Sequence, residues 1–153
     1  MDLHVAETPA DFDLARELFR EYAQTPGVTV CVVGFEDELS LLETAYEAVL
    51  LAAHEGSAVG CGALRALGDG TAEMKRLYVR PFYRGLKAGR AMAEWLIESA
   101  KARGYAALRL DTLPSMDAAQ HLYKSLGFQV IPPYSPANPP EASCYELRLR
   151  VTE

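Results

Sequence analysis

No stretch of the 153 residues approaches the ~20 consecutive apolar positions that a bilayer-spanning helix needs. The N-terminal Met1-Asp2-Leu3-His4-Val5 has no basic region followed by an apolar run. The sequence therefore predicts a cytoplasmic protein with no membrane partner. Cysteine is scarce: Cys31, Cys61 and Cys144 are odd in number and far apart, which fits neither a disulfide framework nor paired metal-ligand spacing. Buried reduced thiols and no metal are expected. Histidine is equally sparse, and His4, His54 and His121 have no partner at nucleophile or metal spacing. Positive charge is also short, with 15 Lys and Arg against 21 Asp and Glu and a net charge of −6. That balance argues against a nucleic-acid partner engaged through the whole surface.

What is present is enough apolar material, half of all residues, for one domain over 1–153 to bury a core without staples. Leu3 to Ala6 reads as a short strand. Thr8-Pro9-Ala10-Asp11 then supplies an N-cap, a first-turn proline and an early acidic residue. Ala15, Leu18, Phe19 and Tyr22 follow at i, i+3, i+4 and i+7, a core-facing helical stripe that stops before Pro26-Gly27. A second helix is expected over 36–43, with 28–33 ambiguous between extended and loop. Ala48–Ala53 and Ala58–Leu67 read as a hairpin about His54-Glu55-Gly56-Ser57, and Glu73–Val79 as the next strand, closed by Pro81. From Gly85 to Arg103 the period turns helical. Ala106–Leu110, Ser115–Ser125 and Phe128–Ile131 then read as strand, helix and strand, and a proline-rich loop, 132–140, precedes a last strand, Cys144–Leu149. The class is α/β, antiparallel in its first half and with a helix crossover in its second.

One segment carries chemistry. From Met74 to Ala93 there is no acidic residue, yet Lys75, Arg76, Arg80, Arg84, Lys87 and Arg90 all lie there. By charge alone this reads equally well as a solvated basic helix face. Its place matters more, because a strand that ends in small and basic residues and feeds a helix presents unpaired N–H groups and a positive dipole end to an anion. Gly85, Ala88 and Gly89 leave room for a pyrophosphate, and Arg84, Lys87 and Arg90 add charge-assisted contacts.

The run Ala72-Glu73-Met74-Lys75-Arg76-Leu77-Tyr78-Val79-Arg80-Pro81, continued by Tyr83-Arg84-Gly85-Leu86-Lys87-Ala88-Gly89-Arg90-Ala91-Met92, resembles the acyl-CoA motif of the GNAT N-acetyltransferase superfamily. Ala118-Ala119-Gln120-His121-Leu122-Tyr123-Lys124-Ser125-Leu126-Gly127-Phe128 is similar to that family's second motif, and the element order agrees over nearly the whole chain. The resemblance implies a mixed, mostly antiparallel sheet flanked by about four helices, with a strand splay at the cofactor site. It implies acetyl-CoA as cosubstrate, held by Leu77, Tyr78 and Val79 on the strand and by Arg84, Gly85, Leu86, Lys87, Ala88, Gly89 and Arg90 in the loop. Tyr123 matches the position of a general acid, and a phenol of pKa ~10 suits a departing thiolate. The stripe Ala119, Leu122, Tyr123, Leu126 suits core packing equally. Glu73 matches a catalytic base of some relatives, and a solvated carboxylate at a strand end is the other reading of it.

Lys87 departs from the pattern, since it stands where the family has a glycine. Helical dihedrals are expected there, with the N–H reaching a phosphate oxygen and the ammonium adding to the grip; a positive φ at Lys87 would instead strain cofactor binding. In the last loop, Tyr134 and Asn138 are the candidate contacts for a primary amine acceptor, a small molecule, an amino acid or a peptide amine, although a place on a surface loop explains them equally well. A catalytically degenerate CoA-binding sensor or assembly protein is the alternative, and a homodimer is left open.

Overall fold

The computed structural model describes residues 1–25 and 34–149. Helix α1, Pro9–Ala23, follows strand β1, Asp2–Val5. It starts as the sequence dictates: the Thr8 hydroxyl accepts from the Asp11 N–H, and the Asp11 carboxylate accepts from the N–H groups of Glu7 and Thr8. Those two backbone donors hold the Asp11 pKa down to about 2, so the cap persists until strongly acidic pH. The helix expected over 36–43 is instead two short ones, α2 (Phe35–Ser40) and α3 (Leu42–Ala45), separated by Leu41 at φ −113°, ψ 23°. Strands β2 (Ala48–His54), β3 (Ser57–Ala66) and β4 (Thr71–Val79) form the meander. A 3₁₀ turn, Pro81–Leu86, leads to α4 (Ala88–Ala102). Then come β5 (Ala107–Thr112), α5 (Asp117–Ser125), β6 (Gln129–Ile131) and β7 (Ser143–Arg148).

The strands make one seven-stranded sheet, in the order β1-β2-β3-β4-β5-β7-β6. Every pairing is antiparallel except β4 with β5. Residues alternate between the two faces. Leu50, Leu64, Met74, Leu108 and Leu110 pack under Met92, Leu96 and Ala100 of α4. Val49, Leu51, Cys61 and Ala63 pack under Leu18 and Phe19 of α1 and Leu39 of α2. This two-sided burial is why Ala48–Ala52 reads as an unbroken apolar run. Cys61 and Cys144 are buried free thiols; Cys31 and the stretch 28–33 lie outside the described residues. Among the described residues no helix is long and apolar enough to cross a membrane.

Two irregularities shape the sheet where function is expected. Cys61 faces Tyr78 and Ala63 faces Lys75, so Arg76 and Leu77 together oppose Gly62. This β-bulge places Arg76 at φ 60° and shifts the alternation by one. Glu73 and Lys75 before it, and Arg76 and Tyr78 after it, therefore share the face turned to α1 and α2, while Leu77 and Val79 turn to α4. The second irregularity is a splay. β4 and β5 pair only at Thr71 with Ala107, Ala72 with Leu108 and Glu73 with Arg109. Both strands run on, but past Glu73 they part, and the second half of β5 keeps only β7 as its partner.

Candidate active site

The parting strands open a cavity of about 460 Å³. Leu77, Tyr78 and Val79 of β4 line one side, Ser115 to Ala119, Leu122 and Tyr123 the other, and Tyr22 of α1 with Thr25 just beyond its end a third. Arg84, Lys87, Gly89 and Arg90 line the mouth. The edge of β4 that turns from β3 has no partner strand there among the described residues, so its N–H and C=O groups, apart from the Val79 carbonyl that Arg84 holds, are available to an extended ligand. No side chain caps the N-terminus of α4 or of α5, which leaves their first-turn N–H groups unpaired at the cavity.

The six basic residues of the anion segment divide in two. Lys75, Arg76 and Arg80 do not line the cavity: Lys75 stands on the β4 face turned to α1 and α2, Arg76 pairs with Glu38 at 2.6 Å, and Arg80 with Glu21 at 2.6 Å and Glu17 at 2.9 Å. Arg84, Lys87 and Arg90 remain for an anion. Arg84 donates to the Val79 carbonyl at 3.2 Å, and Arg90 reaches Ser125 at 3.0 Å and Glu94 at 3.2 Å. Lys87 has no ion pair among the described residues. Its backbone corrects the sequence expectation, because it takes φ 59°, ψ 28°, the left-handed region, and serves as N-cap of α4. The helix expected from Gly85 thus begins at Ala88, since the left-handed residue turns the 3₁₀ segment into the helix axis. Of the other loop residues, Gly85 and Leu86 are exposed and Ala88 is buried against the core; none of these three lines the cavity.

Tyr123 combines both roles that its sequence position suggests. Its ring packs edge-on against Phe128, with centroids 5.7 Å apart, and near Tyr145 at 6.3 Å. Its hydroxyl has no hydrogen-bond partner among the described residues, yet no fully buried side-chain polar atom there is left unpaired. The oxygen therefore opens on the cavity. Burial pushes its pKa well above the ordinary phenol value, with the charges of Tyr22 and Asp111 adding to the effect, so it keeps its proton through the working range of pH but is a weaker acid than an exposed phenol. His121 is exposed, as its rotation around α5 predicts.

Glu73, Tyr134 and Asn138 are brought together, but outside the cavity lining, on the α1 side of the sheet. Glu73 is 2 % exposed. It accepts from the Tyr134 hydroxyl at 2.5 Å and from Arg65 Nε at 2.8 Å. Burial first, then the Glu73 carboxylate, drives the Tyr134 pKa far upward. Asn138 holds the loop together: its Oδ1 accepts from the N–H groups of Tyr134 and Ser135 at 3.0 and 2.9 Å. Its Nδ2 donates to Asp111 Oδ2 at 2.7 Å. Asp111 is the residue that sequence reasoning missed. It stands on β5 two residues past Arg109, the last β5 residue paired with β4, and its charge raises the pKa of both Tyr123 and Tyr134. The signal was there in β5, where Leu108 and Leu110 face the core and leave Arg109 and Asp111 on the other face.

A sheet opened between two parallel strands, with a cation-lined helix N-terminus at its mouth and a buried phenol on its wall, defines an acyl-CoA-dependent acyltransferase. The comparisons agree. Residues 12–128 match the Acetyltransferase (GNAT) family, and the chain belongs to it. An uncharacterized N-acetyltransferase of Schizosaccharomyces pombe is 36% identical over 140 residues, 88% of this chain and 86% of that protein. An IAA acetyltransferase of Azospirillum brasilense is 35% identical over 97 residues, 63% of each chain. Among solved structures, a GNAT-family acetyltransferase of Staphylococcus aureus superimposes with a TM-score of 0.79 at 19% identity, covering 97% of this chain and 100% of that one. A Salmonella typhimurium structure named as an acetyltransferase with its cofactor acetyl-CoA gives 0.76 at 22%, covering 100% and 96%. The chain is thus an enzyme that transfers an acetyl group from acetyl-CoA.

Proposed function

We propose that the acetyl group passes directly to the primary amine of a small molecule. The observation that carries this reading is the loss of β4–β5 pairing past Glu73, which opens the sheet between the cations of the α4 N-terminus and the Tyr123 hydroxyl. The donor set fits acetyl-CoA. Arg84, Lys87, Arg90 and the α4 N–H groups hold the pyrophosphate, and the free edge of Leu77 to Val79 pairs with the amide-bearing arm. When bound, the thioester supplies an activated acyl carbon. Tyr123 donates its proton to the departing sulfur. Glu73 is the base, and Arg65 and Tyr134 stand between it and any acceptor. The proton therefore travels by relay: the Tyr134 oxygen takes one from the ammonium as its own hydroxyl proton moves to Glu73. Tyr134→Phe and Glu73→Gln should then each lower kcat by about 100-fold while CoA affinity stays within twofold, as measured by steady-state kinetics and calorimetry.

Lys87 offers a separate check on the cradle. A residue other than glycine in the left-handed region costs about 1 kcal/mol, and its unpaired ammonium offsets that cost once a phosphate arrives. Lys87→Gly should keep or raise the melting temperature, yet weaken CoA binding several-fold and reduce its salt dependence. Against the sensor reading, acetyl-CoA with a panel of amines should release free thiol only when an amine is present. Tight CoA binding with no release across the panel would establish the sensor instead.

A further inference from the structure

The acceptor side of the opening holds more carboxylate than cation. On the sheet face turned to α1 and α2, each described arginine is already matched. Arg65 meets Glu73 at 2.8 Å, Arg76 meets Glu38 at 2.6 Å, and Arg80 meets Glu21 at 2.6 Å and Glu17 at 2.9 Å. Arg109 meets Glu146 at 2.9 Å and Asp69 at 3.4 Å. Lys75, the remaining lysine on this face, makes no ion pair among the described residues and touches the Glu38 carboxylate only through its charge, so it is the one described cation of this face left for a carboxylate. The stretch 26–33, Pro-Gly-Val-Thr-Val-Cys-Val-Val, contains no charged residue and so adds no cation wherever it runs. Asp111 is different. It is half-buried, and its one hydrogen bond among the described residues comes from the neutral Asn138 amide. No described cation pairs with it. It also sits where the strands have parted, within electrostatic reach of the Tyr123 and Tyr134 hydroxyls. A half-buried carboxylate without a counter-charge favours the arrival of a cation.

We infer that Asp111 receives the ammonium of the acceptor, and that the acceptor is an alkyl or aralkyl amine with no carboxylate beside the nitrogen, rather than an amino acid. This rests on the acetyltransferase reading above and narrows its substrate class. An amino acid would bring its carboxylate against Asp111 and Glu73 while every described arginine of that face is engaged. The acceptor charge thus discriminates by repulsion as well as attraction.

Matched pairs test the inference: phenethylamine against phenylalanine, and cadaverine against lysine. Each is assayed by thiol release at saturating acetyl-CoA, with CoA affinity measured on the same samples. The amine of each pair should exceed its amino acid in kcat/KM by about 100-fold. Asp111→Asn should raise KM for the amines at least about tenfold, leave CoA affinity unchanged and shrink the discrimination. Amino acids used as well as their amines, or an unchanged preference in Asp111→Asn, would overturn the inference. Thiol release from neither member of any pair would overturn it as well. Failure to bind CoA would instead count against the cofactor reading, so the two failures are distinguishable.

Discussion

Gly60→Ala is expected to cost about 3 kcal/mol of stability, the largest loss of any single methyl addition at a described glycine. An added Cβ at Gly60 would stand 2.1 Å from the Tyr78 carbonyl oxygen and 3.1 Å from the Met92 terminal methyl. The first of these is backbone, so it cannot swing aside. β3 and β4 would have to separate at the pair Gly60–Val79, and Val79 lines the cavity. Against a total stability of about 5–15 kcal/mol, such a loss lowers the melting temperature by many degrees and takes cofactor binding with it. Two controls bracket the effect. At Gly62 the nearest neighbours of a Cβ are side-chain methyls, Leu96 Cδ1 at 3.0 Å and Leu77 Cδ1 at 3.3 Å, so alanine there should cost less. At Gly85 nothing lies within 4 Å and φ is not positive, so alanine should be neutral. Thermal denaturation of the three variants, read by circular dichroism, gives the order; equal melting temperatures for Gly60→Ala and Gly85→Ala would refute the packing argument.

Tyr123→Phe should lower kcat by about 100-fold with CoA affinity within twofold and the melting temperature nearly unchanged. The ring contacts with Phe128 and Tyr145 survive the substitution, and the hydroxyl gives up no hydrogen bond to a described residue. The change is thereby confined to a proton. Its pH behaviour follows from the direction of the shift: burial favours the neutral phenol, so the acid form is kept as pH rises through 10. The wild-type kcat should therefore show no alkaline fall up to about pH 10, where an unperturbed phenol begins to lose its proton. An alkaline limb near pH 8, or full turnover by Tyr123→Phe, would remove Tyr123 from the reaction.

Elements with local causes were legible in the sequence. The capping box around Thr8 and Asp11 needs four residues, and the turn at Glu55-Gly56 sets the β2–β3 hairpin. The strand at β5 and the helical period of α4 also announce themselves. What escaped depends on distant partners. Arg76 and Arg80 read as part of an anion site because their carboxylates, Glu38, Glu17 and Glu21, come from α1 and α2. The bulge at Arg76 was invisible, because nothing in an arginine announces a positive φ; the close approach of β4 to Gly60 and the registers on either side impose it. Lys87 is the same lesson in the loop, a left-handed residue without the glycine that usually marks one. Glu73 and Tyr134 were singled out separately, and only the fold joins them across the sheet.

The measurement that bears most directly on the account is an order-of-addition experiment. The protein is mixed first with acetyl-CoA alone and quenched, then with acetyl-CoA and cadaverine or phenethylamine, and free thiol and acetylated amine are counted by mass spectrometry. Direct transfer at the splayed strands predicts no thiol before the amine is added, and afterwards one acetylated nitrogen for each thiol released. Thiol released by acetyl-CoA alone, an acetyl group left on Cys61 or Cys144, or no acetylated amine at all would contradict it.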